Sequence, residues 1–289
     1  MDNTPIFHIA FYRFAAIAAP EVLAASLRLL TGDLLGSILV ASEGINGVLA
    51  GSAPALERFE QALTCTDLAD GAFAGMAFKR SACTTPPFAR MKVHVKPEIV
   101  ALGEAGVTGV PAPASLSAAN ASLSSLATGR TGSAVSPQEW RALLADDNVV
   151  VLDNRNSFEY RLGHFRSAID PQVENFRDFS AYLASNAPAW QATGKRVAMY
   201  CTGGIRCEKT SAWMQDFGVD VVELEGGILN YFQQMPDAER DWQGECFVFD
   251  NRIALDTRLQ ETATTADDVY VAPEDAWRLA RARRLDAAK

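Results

Sequence analysis

The chain has 289 residues, 48% of them hydrophobic, and a formal net charge of −9, which is typical of a globular protein large enough for two domains. The acidic balance argues against non-specific binding to nucleic acid or anionic lipid, so a nucleic-acid partner needs a local basic patch. Five cysteines without paired spacing and three histidines predict reduced thiols in a cytoplasmic protein, without a structural zinc site. We expect no secretory leader and no membrane span.

The first hundred residues alternate strand and helix signals. "IFHIAFYRF" is typical of a strand, and "PEVLAASLRLL", which opens with Pro20, has apolar residues at helical spacing. Two short apolar runs flank "EGING", whose glycines and asparagine predict a turn. A helix over "PALERFEQAL" and strands over "MAFKR" and "MKVHVK" follow. The order β-α-β-β-α-β predicts an α/β domain of ferredoxin-like type over residues 1–102.

Residues 103–135 are rich in alanine, serine, glycine and proline, which predicts a linker that buries little apolar surface. The alternative is a weak helix around Leu116, Leu123 and Leu126. A second domain then begins at Ser136, which with Glu139 forms a capping-box pattern.

Buried strands over "NVVVLD", "RVAMYC" and "VDVVEL" alternate with helices, so residues 136–242 are predicted to form a parallel α/β sheet. Residues 243–289 are expected to be a polar tail that ends in an exposed basic helix.

A glycine-rich loop follows the predicted strand "RVAMY". Ligands of open parallel sheets bind at the carboxyl ends of the strands, where Cys201 lies. Glycines permit backbone angles that turn amide N–H groups inward, and the following helix N-terminus adds partial positive charge. Together with the arginine, these groups favour a thiolate nucleophile. The predicted site comprises Cys201 and Arg206 as catalytic residues, with Thr202, Gly203, Gly204 and Ile205 as the active-site loop.

The alternative for Cys201 is an inert buried thiol at a strand end. Four residues separate Cys201 from Arg206, one fewer than in the C-x5-R loop of cysteine phosphatases, and the smaller cradle suits sulfur better than phosphate. The loop resembles that of the rhodanese domain, whose cysteine carries a persulfide. Cys207 is a candidate to resolve an oxidised or persulfidated Cys201, and its alternative is a helix thiol packed near the sheet.

The rhodanese resemblance extends to "VLDNRNSFEYRLGHFRSAI" and "ELEGGI". In that pattern we expect structural roles, as caps, ion pairs and turn hydrogen bonds, for Asp153, Arg155, Glu159 and His164. Together with "SEGINGVLAG", "PPFARMKVHVKPEIVALG" and "FVFDNR", these motifs occur in the same order in one family. The chain resembles the rhodanese-containing tRNA uridine hydroxylases.

That resemblance implies oxygen-dependent hydroxylation of the wobble uridine at carbon 5 in tRNA. It also implies an essential cysteine, which maps onto Cys201. Molecular oxygen would be the cosubstrate, and the sequence indicates no further cofactor and no metal. Many members of the family carry a cysteine-rich C-terminal segment, whereas no cysteine follows Asp250 here.

Basic residues between positions 79 and 98 agree with an RNA partner. They form a local excess of positive charge in an acidic protein, and such patches bind phosphates. The alternation in "RMKVHVK" would place Arg90, Lys92, His94 and Lys96 on one face of a strand. The alternative is a solvated sheet face. The predicted tRNA-binding residues are Lys79, Arg80, Arg90, Lys92 and Lys96, with Arg278, Arg281, Arg283 and Arg284 as weaker additions.

Three rival functions use the same loop. A sulfurtransferase would carry a persulfide on Cys201, a scaffold would use the rhodanese fold without catalysis, and a small-cradle phosphatase is disfavoured by the loop length. The loop alone does not choose between hydroxylation and sulfur transfer.

Overall fold

The computed structural model of the chain describes residues 5–65, 67–84, 86–111 and 133–286. They divide into two compact units. The N-terminal unit runs to Ala101 and includes Thr108–Pro111; the C-terminal unit contains Leu102–Val107 and the chain from Ser133 onward. The helix considered around Leu116 lies outside the described residues.

The N-terminal unit is one five-stranded sheet with two helices. Odd-numbered residues of β1, such as Ile9 and Phe11, are buried in one core with residues of the two helices, such as Leu27 and Phe59. The strand order is β4-β1-β3-β2-β5, antiparallel except for β2 and β5. The ferredoxin-like prediction is confirmed, with β5 added at one edge. The elements are β1 Ile6–Phe14, α1 Pro20–Leu30, β2 Leu35–Ala41, β3 Gly44–Gly51, α2 Ala53–Thr64, β4 Lys79–Cys83 and β5 Met91–Val95.

The turn predicted over "EGING" is shorter than expected: it comprises Ser42 and Glu43, and β3 begins at Gly44, which pairs with Ala41. The side chains of Glu43 and Asn46 bind a distant backbone segment. Glu43 Oε1 accepts a hydrogen bond from the Ile99 N–H at 2.9 Å, and Asn46 Nδ2 donates to the Ile99 carbonyl at 3.0 Å. These contacts fix the chain that follows β5.

The C-terminal unit contains a four-stranded parallel sheet of order β6-β10-β9-β7, as the alternating pattern predicted. The capping box of Ser136 and Glu139 is confirmed at the start of α3. Strand β6 lies inside the span predicted as linker, because it pairs with β10. The elements are β6 Ser133–Val135, α3 Pro137–Leu143, β7 Val149–Asp153, α4 Ser157–Leu162, β8 Gly163–Phe165, α5 Phe179–Thr193, β9 Arg196–Tyr200, α6 Ile205–Asp216, β10 Val221–Leu224 and α7 Gly227–Gln234.

Residues beyond 242 are ordered against this unit, which differs from the expected polar tail. Their apolar side chains supply the reason: Phe247 and Val269 are 4% and 3% exposed, and both pack with Phe158. The Phe158 and Phe247 rings meet edge to face at 5.0 Å. The elements are β11 Trp242–Gly244, β12 Cys246–Phe247, β13 Ala254–Leu255, α8 Ala266–Val269 and α9 Ala276–Asp286. Among the described helices, none is long and apolar enough to cross a membrane.

Candidate active site at the Cys201 loop

Cys201 lies directly after β9, and α6 begins four residues later at Ile205. The loop turns through Gly204, whose φ of +103° lies in the region that favours glycine. The Gly204 N–H donates to Cys201 Sγ at 3.1 Å. Gly203 has no positive φ, so only one of the two glycines supplies the backbone angle that the sequence predicted for both.

The N-terminus of α7 holds the outer side of this loop. The Ile228 N–H donates to the Cys201 carbonyl at 3.0 Å, and the Leu229 N–H donates to the Thr202 carbonyl at 3.2 Å. A Cβ on Gly227 would lie 2.4 Å from the Cys201 carbonyl oxygen, so only glycine permits this approach. With its carbonyls bound by α7, the loop has amide groups left to face the sulfur.

The Cys201 thiol is buried and acidic. Burial raises its pKa, but a hydrogen bond from the Cys207 thiol, the Arg206 charge and the backbone N–H groups of Arg206 and Cys207 together outweigh burial and lower the pKa from 9.0 to about 6. The residue is only 1% exposed. At neutral pH the site therefore holds a thiolate beneath the protein surface.

The guanidinium of Arg206 is bound to a buried carboxylate. Its guanidinium donates to both carboxylate oxygens of Glu159, at 2.9 and 3.1 Å, and both residues are buried. The rings of Phe176 and Phe249 lie 6.0 and 5.6 Å from its Cζ atom. With its guanidinium bound to Glu159, Arg206 acts on Cys201 through its charge, which lowers the pKa of the thiol.

Cys207 lies in the first turn of α6 and is 1% exposed. Burial, its hydrogen bond to Cys201 and the charge of Cys201 raise the pKa of its thiol well above the usual value. It therefore stays protonated and donates to the Cys201 thiolate. The Asn154 side chain lies 3.9 Å from Cys207 Sγ. No disulfide forms among the described cysteines, so a resolving role for Cys207 stays a prediction.

A buried ion pair supports the strand end next to the loop. Arg155 donates to both oxygens of Asp153, at 2.9 and 2.6 Å, and to the Gly163 carbonyl at 2.6 Å, while the Tyr200 hydroxyl donates to Asp153 at 2.7 Å. His164 Nδ1 lies 2.9 Å from the Tyr160 carbonyl. These contacts match the expectation that the aspartate, the arginine and the histidine are structural.

The remaining loop residues carry little side-chain chemistry. Ile205 is half-buried, and Thr202 Oγ1 is a buried atom without a hydrogen-bond partner in the described part of the chain. Over residues 5–65, 67–84, 86–111 and 133–286, no group of histidine, cysteine, aspartate and glutamate side chains could hold a metal ion.

The predicted basic patch is divided by the strand order. Lys79 and Arg80 lie on β4 and Lys92 lies on β5, at opposite edges of the five-stranded sheet. Four strand spacings separate those edges by about 19 Å. Arg80 faces α2 and pairs with Glu60 at 2.9 Å and with a second glutamate on that helix. The predicted tRNA-binding residues therefore lie at both edges of the sheet, and their role in binding RNA stays a prediction.

Within β5 the predicted alternation applies only to Lys92 and His94. They lie on the face opposite to the buried Val93, whereas Arg90 and Lys96 flank the strand. Backbone hydrogen bonds to β2 continue to both flanking residues: the Lys96 N–H donates to the Val40 carbonyl at 2.8 Å, and the Gly36 N–H donates to the Arg90 carbonyl at 3.2 Å.

The arginines of α9 are not a uniform exposed set. Arg278 is 8% exposed and donates to Asp275 and to the Glu174 carbonyl, at 2.9 and 2.7 Å. Arg283 pairs with Asp267. Arg281 and Arg284 are exposed.

Two residues at the site carried no clear sequence signal. Gly227 is visible in "ELEGGI", but its contact with the Cys201 loop depends on how α7 packs. Phe249 is visible in "FVFDNR", but nothing local indicates that its ring reaches Arg206, because 42 residues of chain separate the two positions.

Comparison with known proteins agrees with this architecture. The model of the UPF0176 acylphosphatase like domain matches residues 6–99, and that of the Rhodanese-like domain matches residues 136–234. A Synechococcus elongatus protein named tRNA uridine(34) hydroxylase is 45% identical over 259 residues, which cover 87% of this chain and 86% of that protein. A Brucella anthropi protein of the same name is 39% identical over 268 residues, covering 91% of this chain and 79% of that protein.

Proposed function

Because the chain belongs to the tRNA uridine(34) hydroxylase family, we propose that it hydroxylates the wobble uridine of tRNA at carbon 5, with molecular oxygen as cosubstrate. The observation that carries the proposal is that relatives of that name match nearly the whole chain. The low-pKa thiol in the rhodanese loop of this chain agrees with it. The partner is the anticodon region of tRNA, and the unbridged cysteines fit a cytoplasmic enzyme.

In the proposed reaction the Cys201 thiolate adds to carbon 6 of the uracil ring. The addition makes carbon 5 electron-rich, and carbon 5 bonds to molecular oxygen to give a hydroperoxide on carbon 5. Two external thiols reduce that hydroperoxide: its O–O bond breaks, the distal oxygen leaves as water, the thiols become a disulfide, and a hydroxyl stays on carbon 5. Loss of the proton on carbon 5 and expulsion of the thiolate from carbon 6 then restore the ring.

The loop geometry suits the addition and the expulsion. The amide of Gly204, the thiol of Cys207 and the charge of Arg206 stabilise the thiolate before it attacks and again when it leaves. The base is splayed out of its stack, as single-stranded loop bases are when proteins bind them. Exposed cations of the N-terminal unit contribute phosphate contacts.

The proposal is tested by nucleoside mass spectrometry of tRNA from cells that lack the gene and express a variant. Cys201→Ser keeps the side-chain volume and should abolish 5-hydroxyuridine, because a serine hydroxyl is not ionised at neutral pH. Cys246→Ala is the matched control: Cys246 is also fully buried, but burial raises the pKa of its thiol to about 12. It should retain the modification.

Normal 5-hydroxyuridine in the Cys201→Ser strain would end the proposal. A thiocyanate assay on the purified protein separates the sulfurtransferase alternative, because that activity needs thiosulfate and no tRNA. Thiocyanate formation without tRNA hydroxylation would establish sulfur transfer as the function of the loop.

A further inference from the structure

Phe249 is an exposed aromatic residue that lies over Arg206, the second residue of α6. It is 61% exposed, whereas the preceding residues Phe247 and Val248 are 4% and 5% exposed. Its ring centroid lies 5.6 Å from Cζ of Arg206, the residue whose charge lowers the pKa of Cys201. A solvent-exposed aromatic ring therefore contacts Arg206, the residue whose charge helps to ionise the Cys201 thiol.

The turn that carries this ring is held by backbone and side-chain hydrogen bonds. The Val248 N–H donates to the Ile253 carbonyl at 2.8 Å between the paired strands β12 and β13. Asp250 accepts two hydrogen bonds from the Arg252 guanidinium, at 2.8 and 2.6 Å, and both side chains are 4% exposed. A buried ion pair thus holds the backbone next to Phe249, which gives the ring a defined place.

Packing alone does not explain the position of the ring. Phe249 contacts Phe247 edge to face at 4.9 Å and lies over the Arg206 guanidinium, yet most of it remains in water. Single exposed apolar residues are common on protein surfaces. Phe249 differs from such residues in two ways. Hydrogen bonds hold the backbone of its turn, and its aromatic ring covers Arg206, whose charge lowers the pKa of Cys201.

We propose that Phe249 stacks on the uracil ring of the splayed-out nucleotide and holds it beside Cys201. The inference rests on the proposed function and adds a substrate-binding residue to it. Stacking between a base and an aromatic ring needs no hydrogen-bond pattern, so Phe249 sets the position of the base and leaves its identity to other contacts. The C-terminal segment thereby completes the site although it lacks the cysteines found in many relatives.

The test compares two anticodon stem-loops, one with uridine at position 34 and one abasic there, in binding to protein that carries Cys201→Ser to prevent turnover. With Phe249 present, the uridine stem-loop should bind about 5- to 100-fold more tightly than the abasic one. Phe249→Ala should bring that ratio close to one, Phe249→Leu should keep the packing but lose most of the ratio, and Phe249→Trp should retain it.

Phe217→Ala is the matched control. Phe217 is also an exposed phenylalanine of the same unit, at 37%, but it follows the far end of α6 from the loop. Its removal should leave the ratio unchanged. A role of Phe249 in folding alone would lower binding of both stem-loops equally and would shift thermal unfolding.

The inference is overturned if Phe249→Ala keeps the full ratio, or if no ratio exists with Phe249 present. Failure of the proposed function is a separate outcome. In that case, enzyme with Cys201 intact would leave uridine 34 unmodified, whatever the two stem-loops show about stacking.

Discussion

The two units of the molecule use charged side chains in opposite ways. In the C-terminal unit, Arg155 and Arg206 are buried, and each is bound to one carboxylate. In the N-terminal unit, cations such as Arg80 and Lys92 lie at the edges of a sheet, partly in water. A buried charge strongly shifts the pKa of one neighbouring group. Solvent-exposed charges are screened, and their contributions to RNA affinity add up over many phosphate contacts.

Removal of the buried charge should have the largest effect. Arg206→Gln leaves the Glu159 carboxylate buried without its partner, which should cost about 3–5 kcal/mol of unfolding free energy. Loss of the positive charge should also raise the pKa of Cys201 from about 6 toward 9, so the thiolate fraction at pH 7 falls. Chemical denaturation and a titration of thiolate ultraviolet absorbance, with Cys201→Ser as the blank, measure the two effects.

The double variant Glu159→Gln, Arg206→Gln separates the loss of stability from the rise in the pKa of Cys201. It replaces the ion pair by two amides, so most of the stability should return while the pKa of Cys201 stays raised. If the pKa of Cys201 remains near 6 without Arg206, the guanidinium is not what keeps the sulfur ionised.

The backbone contact behind the loop should give the next largest effect. Gly227→Ala and Gly194→Ala both place alanine at positive φ, +68° and +63°, which costs about 1–2 kcal/mol. Only at Gly227 does the new Cβ meet backbone, at 2.4 Å from the Cys201 carbonyl; at Gly194 nothing lies within 4 Å. Gly227→Ala should therefore lose more stability and more than about tenfold in hydroxylation rate, while Gly194→Ala keeps its rate. Equal rates in the two variants would contradict a loop held by α7.

Single cations of the N-terminal unit should have the smallest effects. Lys92→Ala should weaken tRNA binding a few-fold and reduce the slope of log affinity against log salt by about one. Arg80→Ala should do less, because the carboxylates of Glu57 and Glu60 already offset its charge. Filter binding of tRNA over a range of salt concentrations measures both. A larger loss for Arg80 than for Lys92 would show that Arg80 leaves its glutamates to bind RNA.

Local patterns were predictable because their partners are near in sequence. The alternation of β1 and the capping box of Ser136 and Glu139 each depend on residues a few positions apart, and both are found. The turn predicted over "EGING" is confined to Ser42 and Glu43, and local pattern did not reveal that Glu43 and Asn46 bind Ile99, more than fifty residues away. Local pattern also did not reveal that strand order places the basic residues of β4 and β5 at opposite edges of the sheet.

The lowered pKa of the Cys201 thiol was predictable from the sequence, because a strand end, a glycine at positive φ and a helix N-terminus are all supplied within six consecutive residues from Tyr200 to Ile205. Only the tertiary structure decided that Arg206 is bound to Glu159, that α7 holds the outer side of the loop and that Phe249 lies exposed over Arg206. The physical reason is that a buried charge takes whichever carboxylate packing brings to it, and an aromatic ring is exposed or covered according to what distant segments leave uncovered.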